Sequence, residues 1–229
     1  MRLIRSGALA PAWNLALDEA LLRSGLKTFR LYAWDPPGLS LGYFQRAASF
    51  APPPGYEMVR RPTGGGAIAH VGELTLSWVG ARRRVEEAYA SINAIVAKAV
   101  SGLGIRVSTG AGDPKAAPAG LCFDAHTRYD LMAEGRKFFG SAQRRSGGRF
   151  LLHGSLVLEP NPLARGAVSL RELLGRVVPR QEAELLVVAA AREVLGVALL
   201  AEFPTAEEWR LAGRLVLERY AAWSWTRKR

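Results

Sequence analysis

Cys122 and Lys137 stand fifteen residues apart in GLCFDAHTRYDLMAEGRKFFGSAQRR (120–145), and both types are scarce. Cys122 is the only cysteine of the chain, and Lys137 is one of five lysines among 31 basic residues. A thiolate is the nucleophile that attacks thioesters, and a cation beside a thiol raises its thiolate fraction. A lysine can equally hold an acyl carbonyl or a phosphate where negative charge develops. Lys137 follows a Glu134-Gly135 turn and begins a strand that leads into the small, polar run Gly140-Ser141-Ala142. Simpler roles compete with these. A free cysteine is commonly a small buried hydrophobe, and a lysine after a turn is commonly a solvated hairpin tip.

A second stretch is RRPTGGGAIAH (60–70). Gly64, Gly65 and Gly66 in a row cost backbone entropy, which is expected where chain and ligand must approach closely. Their free N–H groups can cradle a carbonyl or a phosphate, and Arg60 and Arg61 bring positive charge to the same turn, with His70 just beyond. The motif is neither a P-loop nor a GxGxxG dinucleotide fingerprint. A tight hairpin turn is the competing reading. In LLHGSLVLE (151–159), His153 lies inside an apolar strand, where a satisfied core histidine is the usual role. The three histidines are too scattered for a recognisable metal site, and one cysteine supplies neither an internal disulfide nor a multi-thiolate zinc site. These residues describe an electropositive pocket for an acyl carbonyl or a phosphate, with Cys122 as candidate nucleophile. They do not name a substrate.

The elements that must position them can be read from periodicity. Trp13, Leu17, Leu21 and Leu22 share a helical face that Gly25 ends, and Val85 to Val100 repeats apolar residues every three or four positions before Gly102 and Gly104. FRLYAW (29–34), LSLGYF (39–44) and EMVRR (57–61) read as strands. AIAH and ELTLSWVG, either side of Val71-Gly72, read as a hairpin. The breaker-rich STGAGDPKAAPAG (108–120) reads as an exposed, mobile loop. YDLMAE, GRKFFGSAQ and GRFLLHGSLVLE read as an antiparallel meander ending at Pro160, and three helical segments follow. Without a regular βαβ period, an α+β architecture with a mixed or largely antiparallel sheet flanked by helices is expected.

Bulk properties narrow the partners. The chain has 229 residues, 49% of them apolar, and a net charge of +11. No stretch reaches the roughly 18–20 apolar residues of a membrane span, and MRLIRSGALAPAW lacks the apolar core of a secretory signal, so neither membrane nor export is expected and the cytoplasm is the default. The positive charge favours acidic partners. Nucleic acid is disfavoured because basic residues are spread along the chain, with RRR (82–84) and the terminal RKR as the longest runs.

Taken together and in order, RRPTGGGAIAH, GRKFFGSAQ and LLHGSLVL resemble the lipoate–protein ligase and octanoyltransferase superfamily, whose catalytic fold is shared with biotin protein ligases. The resemblance extends upstream through NLALDEALL and WDPPGLSLGYFQ and covers about residues 8–160. It implies one catalytic domain over 1–229, with a core at 8–160 and a C-terminal helical segment at 161–229. It also implies attachment of eight-carbon acyl groups to a carrier-domain lysine. Lys137 would then contact the acyl carbonyl, Gly64–Gly66 and Ala67, Ile68 and Ala69 would line the acyl channel, and Arg61 would lie beside the head group. His70, Ser141, Ala142, His153 and Gly154 match further pocket positions.

Two branches differ in chemistry. Lipoate ligases form an acyl-adenylate from ATP, with Mg, and need no cysteine. Here ELTLS and the Cys-Phe-Asp-Ala run at 122–125 resemble instead the branch that transfers octanoyl from acyl carrier protein, with Cys122 as the acyl-carrying nucleophile, no cofactor and no metal. The triple glycine, where that branch often has Gly-Gly-Arg, is the more ligase-like feature, and the lack of a sizeable C-terminal accessory domain favours the transferase; the alternative is an ATP-dependent lipoate ligase, or the catalytic subunit of a two-protein ligase whose small partner is encoded separately. The partners implied are an acidic acyl carrier protein as donor, and as acceptor a lipoyl domain such as glycine cleavage H protein or a 2-oxoacid dehydrogenase E2.

Overall fold

The computed structural model describes residues 1–112 and 120–229. An eight-stranded mixed sheet is built from β1 (Arg2–Leu9), β2 (Thr28–Trp34), β6 (Glu73–Ala81), β7 (Ser108–Thr109), β8 (Leu131–Ala133), β9 (Arg136–Ser146), β10 (Arg149–Val157) and β11 (Leu200–Ala201). Its order is β11-β1-β2-β6-β10-β9-β8-β7. β1 pairs parallel with β2 and β11, and the remaining pairs are antiparallel. A three-stranded sheet, β4-β3-β5, holds β3 (Gly38–Leu41) between β4 (Glu57–Arg60) and β5 (Ile68–His70).

Both faces of the large sheet are covered. Strand neighbours point to opposite faces, and Trp78 and Leu152 join one core cluster while Val79 and Leu151 join another. On the first face lie α2 (Val85–Ser101) and α4 (Arg180–Leu195), which contribute Ile92, Val96, Val187 and Ala191. On the second lie α1 (Pro11–Ser24) and α5 (Ala206–Leu215), which contribute Leu17, Leu21 and Ala212. Each such leucine fully withdrawn from water is worth about 2 kcal/mol. α3 (Leu170–Leu174) and α6 (Trp223–Thr226) are short, and a π-helical turn, Val216–Tyr220, leads from α5 to α6. No helix among the described residues is long and apolar enough to cross a membrane.

Most elements fall where periodicity puts them, including both long helices, the β8–β9–β10 meander and the α+β architecture. One expectation is corrected. AIAH and ELTLSWVG are adjacent in sequence but do not form a hairpin: β5 pairs with β3 in the small sheet, whereas β6 lies between β2 and β10. Val71-Gly72 is the crossing point, and Gly72 O accepts from Leu158 N and Glu159 N at 3.0 and 2.8 Å, so this turn is tied to the end of β10. The loop expected at 108–120 begins with the two residues of β7, and its part at 113–119 lies outside the described residues.

Candidate functional site

Cys122 opens a short 3-10 turn, Cys122–Asp124, and its place is fixed through the backbone. Its N–H donates to Ala67 O at 2.7 Å, and Ala67 N–H donates to Gly120 O at 3.2 Å, which stitches this segment to the end of the glycine turn. Lys137, the second residue of β9, reaches the same point from the sheet. Its Nζ lies 3.3 Å from Cys122 Sγ, 3.0 Å from Cys122 O and 3.3 Å from Ala125 O. Asp130 Oδ2 faces the ammonium at 3.1 Å and itself accepts from Thr127 N at 2.7 Å. Lys137 is 3% exposed, so its charge acts where water screens it little. It therefore holds the thiol, the turn that carries the thiol and a buried carboxylate at once.

Arg61 organises the other side. All its donors are taken: Nε by Thr63 Oγ1, Nη1 by Ser40 O and Ser40 Oγ, and Nη2 by Gly64 O at 2.7 Å and Gly66 O at 2.6 Å. The guanidinium is thus the mould of the glycine turn. Burial pulls its pKa down to about 10, with Cys122 and Tyr89 acting in the opposite direction. Gly42 and Gly65 make this packing possible. A Cβ on Gly42 would sit 1.9 Å from Gly65 O, and Gly65 has φ +90°.

Two hydrogen-bonded chains leave Arg61. Ser40 Oγ accepts from Arg61 and pairs with His70 Nε2 at 2.7 Å, while His70 Nδ1 pairs with Glu73 Oε1 at 2.7 Å. Thr63 Oγ1 accepts from Arg61 and pairs with His153 Nε2 at 2.7 Å, while His153 Nδ1 lies 3.3 Å from Asp18 Oδ2. Each hydroxyl, accepting from the guanidinium, has its proton free for an imidazole nitrogen, so each ring donates its Nδ1–H to a carboxylate. Burial lowers the pKa of His70, against the pull of Glu73, which favours this neutral form. Burial would raise Asp18, but Arg30 and His153 outweigh it and hold the carboxyl below its usual range. Asp18 also accepts from Arg30 Nη1 at 2.7 Å, Ser77 Oγ at 2.8 Å and Tyr32 OH at 2.9 Å.

These groups border two cavities that meet at Cys122. The inner one is lined mainly by apolar surface from Leu15, Tyr32, Trp34 and Ile68 and by the backbone of Gly140 and Gly154, with Arg61, His70 and His153 also in its wall. The outer one is lined by Gly64–Gly66, Tyr89, Asp130, Lys137 and Gln143 among others. Gly65, Cys122, Ser141 and Ala142 belong to both walls. Trp34 and His70, which line the inner cavity, also border an open groove beside Val177 and Arg180. The arrangement is an apolar slot with a thiol and an ammonium at its mouth, which suits an acyl chain whose reacting carbonyl sits at Cys122.

The sequence-derived residues divide accordingly. Cys122, Lys137, Arg61, Gly64, Gly65, Gly66, Ile68, His70, Gly140, Ser141, Ala142, His153 and Gly154 meet at these two cavities. Arg60 does not. Its guanidinium is buried and donates to Gly42 O, Tyr43 O, Gln45 O and Thr226 O, which ties the C-terminal α6 to the loop after β3. Ala67 and Ala69 pack in the small sheet's core rather than lining a wall, and Ala67 acts through its backbone on Cys122. Asp18, Ser40, Thr63, Glu73 and Asp130 escaped the sequence reading. Asp18 did leave a signal: it stands four residues after Asn14 within the apolar run of α1, and both are fully buried.

Comparison with known proteins points the same way. Residues 10–190 match the lipoyl protein ligase A/B catalytic-domain family. The octanoyltransferase LipM of Kyrpidia tusciae is 35% identical, over 98% of this chain and 97% of its own length, and that of Geobacillus kaustophilus is 34% identical, over 100% and 98%. Among solved structures, a putative lipoate protein ligase from T. acidophilum superposes with a TM-score of 0.86 at 23% identity, over 100% of this chain and 99% of the other, a likeness of fold.

Proposed function

The chain belongs to the lipoyl protein ligase A/B catalytic family, and we propose that it is an octanoyltransferase that carries the acyl group on Cys122 during protein lipoylation. The observation that carries this reading is the 3.3 Å approach of Lys137 Nζ to Cys122 Sγ at the mouth of an apolar cavity. The full-length likeness to octanoyltransferases LipM supports the same branch.

In this mechanism the Cys122 thiolate attacks the thioester carbonyl of octanoyl–acyl carrier protein. A carbon–sulfur bond forms to Sγ, the donor's thiol leaves, and the octanoyl chain occupies the inner cavity. The Lys137 ammonium stabilises the thiolate and the oxyanion of each tetrahedral intermediate. A lysine of a lipoyl domain, such as that of glycine cleavage H protein or a 2-oxoacid dehydrogenase E2, then takes the acyl group as an amide and releases Cys122. Exchange of one thioester for another is nearly isoenergetic, so the reaction draws on no ATP. Such partners place the work in the cytoplasm, and their acidity complements a chain of net charge +11.

The test is the intact mass of the purified protein after mixing with octanoyl–acyl carrier protein and no ATP. A gain of one octanoyl group, removed by hydroxylamine and absent from Cys122→Ala, is expected. Transfer that appears only with free acid and ATP would assign the chain to the ligase branch instead.

A further inference from the structure

Among the described residues, three buried side-chain atoms lack a hydrogen-bond partner: Asn93 Oδ1, Ser141 Oγ and Gln143 Oε1. The last two are two residues apart on β9, on one face of the strand, and both residues line the outer cavity with Cys122 and Lys137. Burying a polar atom with nothing to bond is unfavourable, and such groups are rare in native proteins unless a ligand completes them. The orientation of the Gln143 amide is fixed, because its Nε2 donates to Val85 O at 3.1 Å. The free end is therefore the carbonyl oxygen, which accepts and cannot donate. Ser141 Oγ offers lone pairs beside it, at the wall shared by the two cavities.

Two incoming groups pass this point in the reading above: the thioester of the donor and the amine of the acceptor. The reacting oxygen of a thioester calls for donors, which Lys137 supplies. A primary amine brings N–H donors and calls for acceptors. We infer that Ser141 Oγ and Gln143 Oε1 form the binding site for the ε-amine of the acceptor lysine, holding it for attack on S-octanoyl-Cys122. This inference rests on the acyl-cysteine reading of the site. The amine enters neutral, its ammonium proton lost to solvent. Its nitrogen bonds to the carbonyl carbon, the C–S bond breaks with its electron pair passing to Sγ beside Lys137, and the second amine proton leaves to the sulfur or to solvent as the amide forms. Ser141 and Gln143 touch the amine while it is aligned and take no proton from it.

The test separates the two half-reactions. Loading of Cys122 from octanoyl–acyl carrier protein is followed by intact mass, and discharge of the loaded protein to an isolated lipoyl domain is followed in a single turnover. Gln143→Met removes the acceptor atom and is expected to slow discharge by about tenfold or more, with the larger part recovered at saturating lipoyl domain, while loading changes by less than about threefold. Gln143→Glu, which restores an acceptor, should discharge faster than Gln143→Met. Ser141→Ala removes a hydroxyl that has no partner, so its melting temperature should be unchanged or higher even though discharge slows. Equal slowing of both steps, or slowing confined to loading, would overturn the inference, the second by assigning these atoms to the donor's arm. A wild-type protein that never loads is a separate result, visible before any variant is made, and it would remove the acyl-cysteine reading itself.

Discussion

Trp34 lies flat against His70, with ring centroids 3.7 Å apart and planes 10° from parallel. The plate is held from both sides: Trp34 Nε1 donates to Thr75 Oγ1 at 2.8 Å, and both His70 nitrogens are bonded. Both rings border the inner cavity and also the groove beside Val177 and Arg180, so under the proposed function the pair is the end wall of the acyl slot. Trp34→Ala should open that wall and shift loading of Cys122 toward acyl chains longer than eight carbons, at a stability cost of about 2 kcal/mol for a half-buried aromatic. A panel of acyl–carrier donors of increasing length checks this. An unchanged length preference would mean that the chain ends elsewhere.

Lys137 and Asp130 are both buried and lie 3.1 Å apart. Removing one member leaves the other charged and uncompensated, so Lys137→Met should cost about 3–5 kcal/mol in stability. Lys137→Met combined with Asp130→Asn removes both charges and should recover most of that loss. It should not recover acylation of Cys122, because the ammonium that faces the thiol is still missing. Urea melts of the single and double variants, beside their loading rates, distinguish a lysine needed for chemistry from one needed only to neutralise Asp130.

The adjacent pair Arg60 and Arg61 shows where sequence reading stops. Neighbours at the end of a strand point to opposite sides, so at most one of them could face the pocket, yet nothing local says which. The choice depends on β4 pairing with β3, which leaves Arg60 against α6 and Arg61 against the glycine turn. The missed crossing at Val71-Gly72 has the same origin, since the partners of β5 and β6 are remote in sequence. Helices and the β8–β10 meander were legible because their pairing is local. The residues that meet at the two cavities were legible because Gly-Gly-Gly, a lone cysteine and a rare lysine are conspicuous types. Their supports, Asp18, Ser40, Thr63 and Glu73, are ordinary residues whose role exists only once the fold brings them to Arg61 and the two histidines.

The glycine turn predicts a sharp position effect. A methyl group on Gly42 would meet Gly65 O at 1.9 Å, a backbone atom that cannot swing aside. Gly42→Ala should therefore displace the turn and with it the Ala67 carbonyl that positions Cys122. Loading should fall by about tenfold or more, whereas Gly102→Ala, at the end of α2 with open space around its Cβ, should leave loading unchanged. Equal behaviour of the two variants would show that the turn tolerates rearrangement.

The two buried chains from Arg61 give the fold a stepped response to acid. Burial depresses the His70 pKa below its ordinary 6.5, against the pull of Glu73. As pH falls below 6.5 the unfolded chain gains a proton at this position before the folded one does, so stability declines, by up to about 1.4 kcal/mol for each pH unit until the folded state also protonates. Asp18 is held below its ordinary 3.8: burial would raise it, but Arg30 and His153 outweigh that. Its contribution is intact above 3.8 and is lost only as pH drops further toward the folded-state value. Denaturant melts at closely spaced pH values should thus show one decline beginning near 6.5 and a second near 4. His70→Gln keeps a side chain of similar reach but does not titrate. It should be less stable at neutral pH, because the bonds to Ser40 and Glu73 are disturbed, and it should lose the first decline while keeping the second. If the first decline persists in His70→Gln, another group carries it, and the neutral imidazole against Trp34 is not what makes the site acid-sensitive.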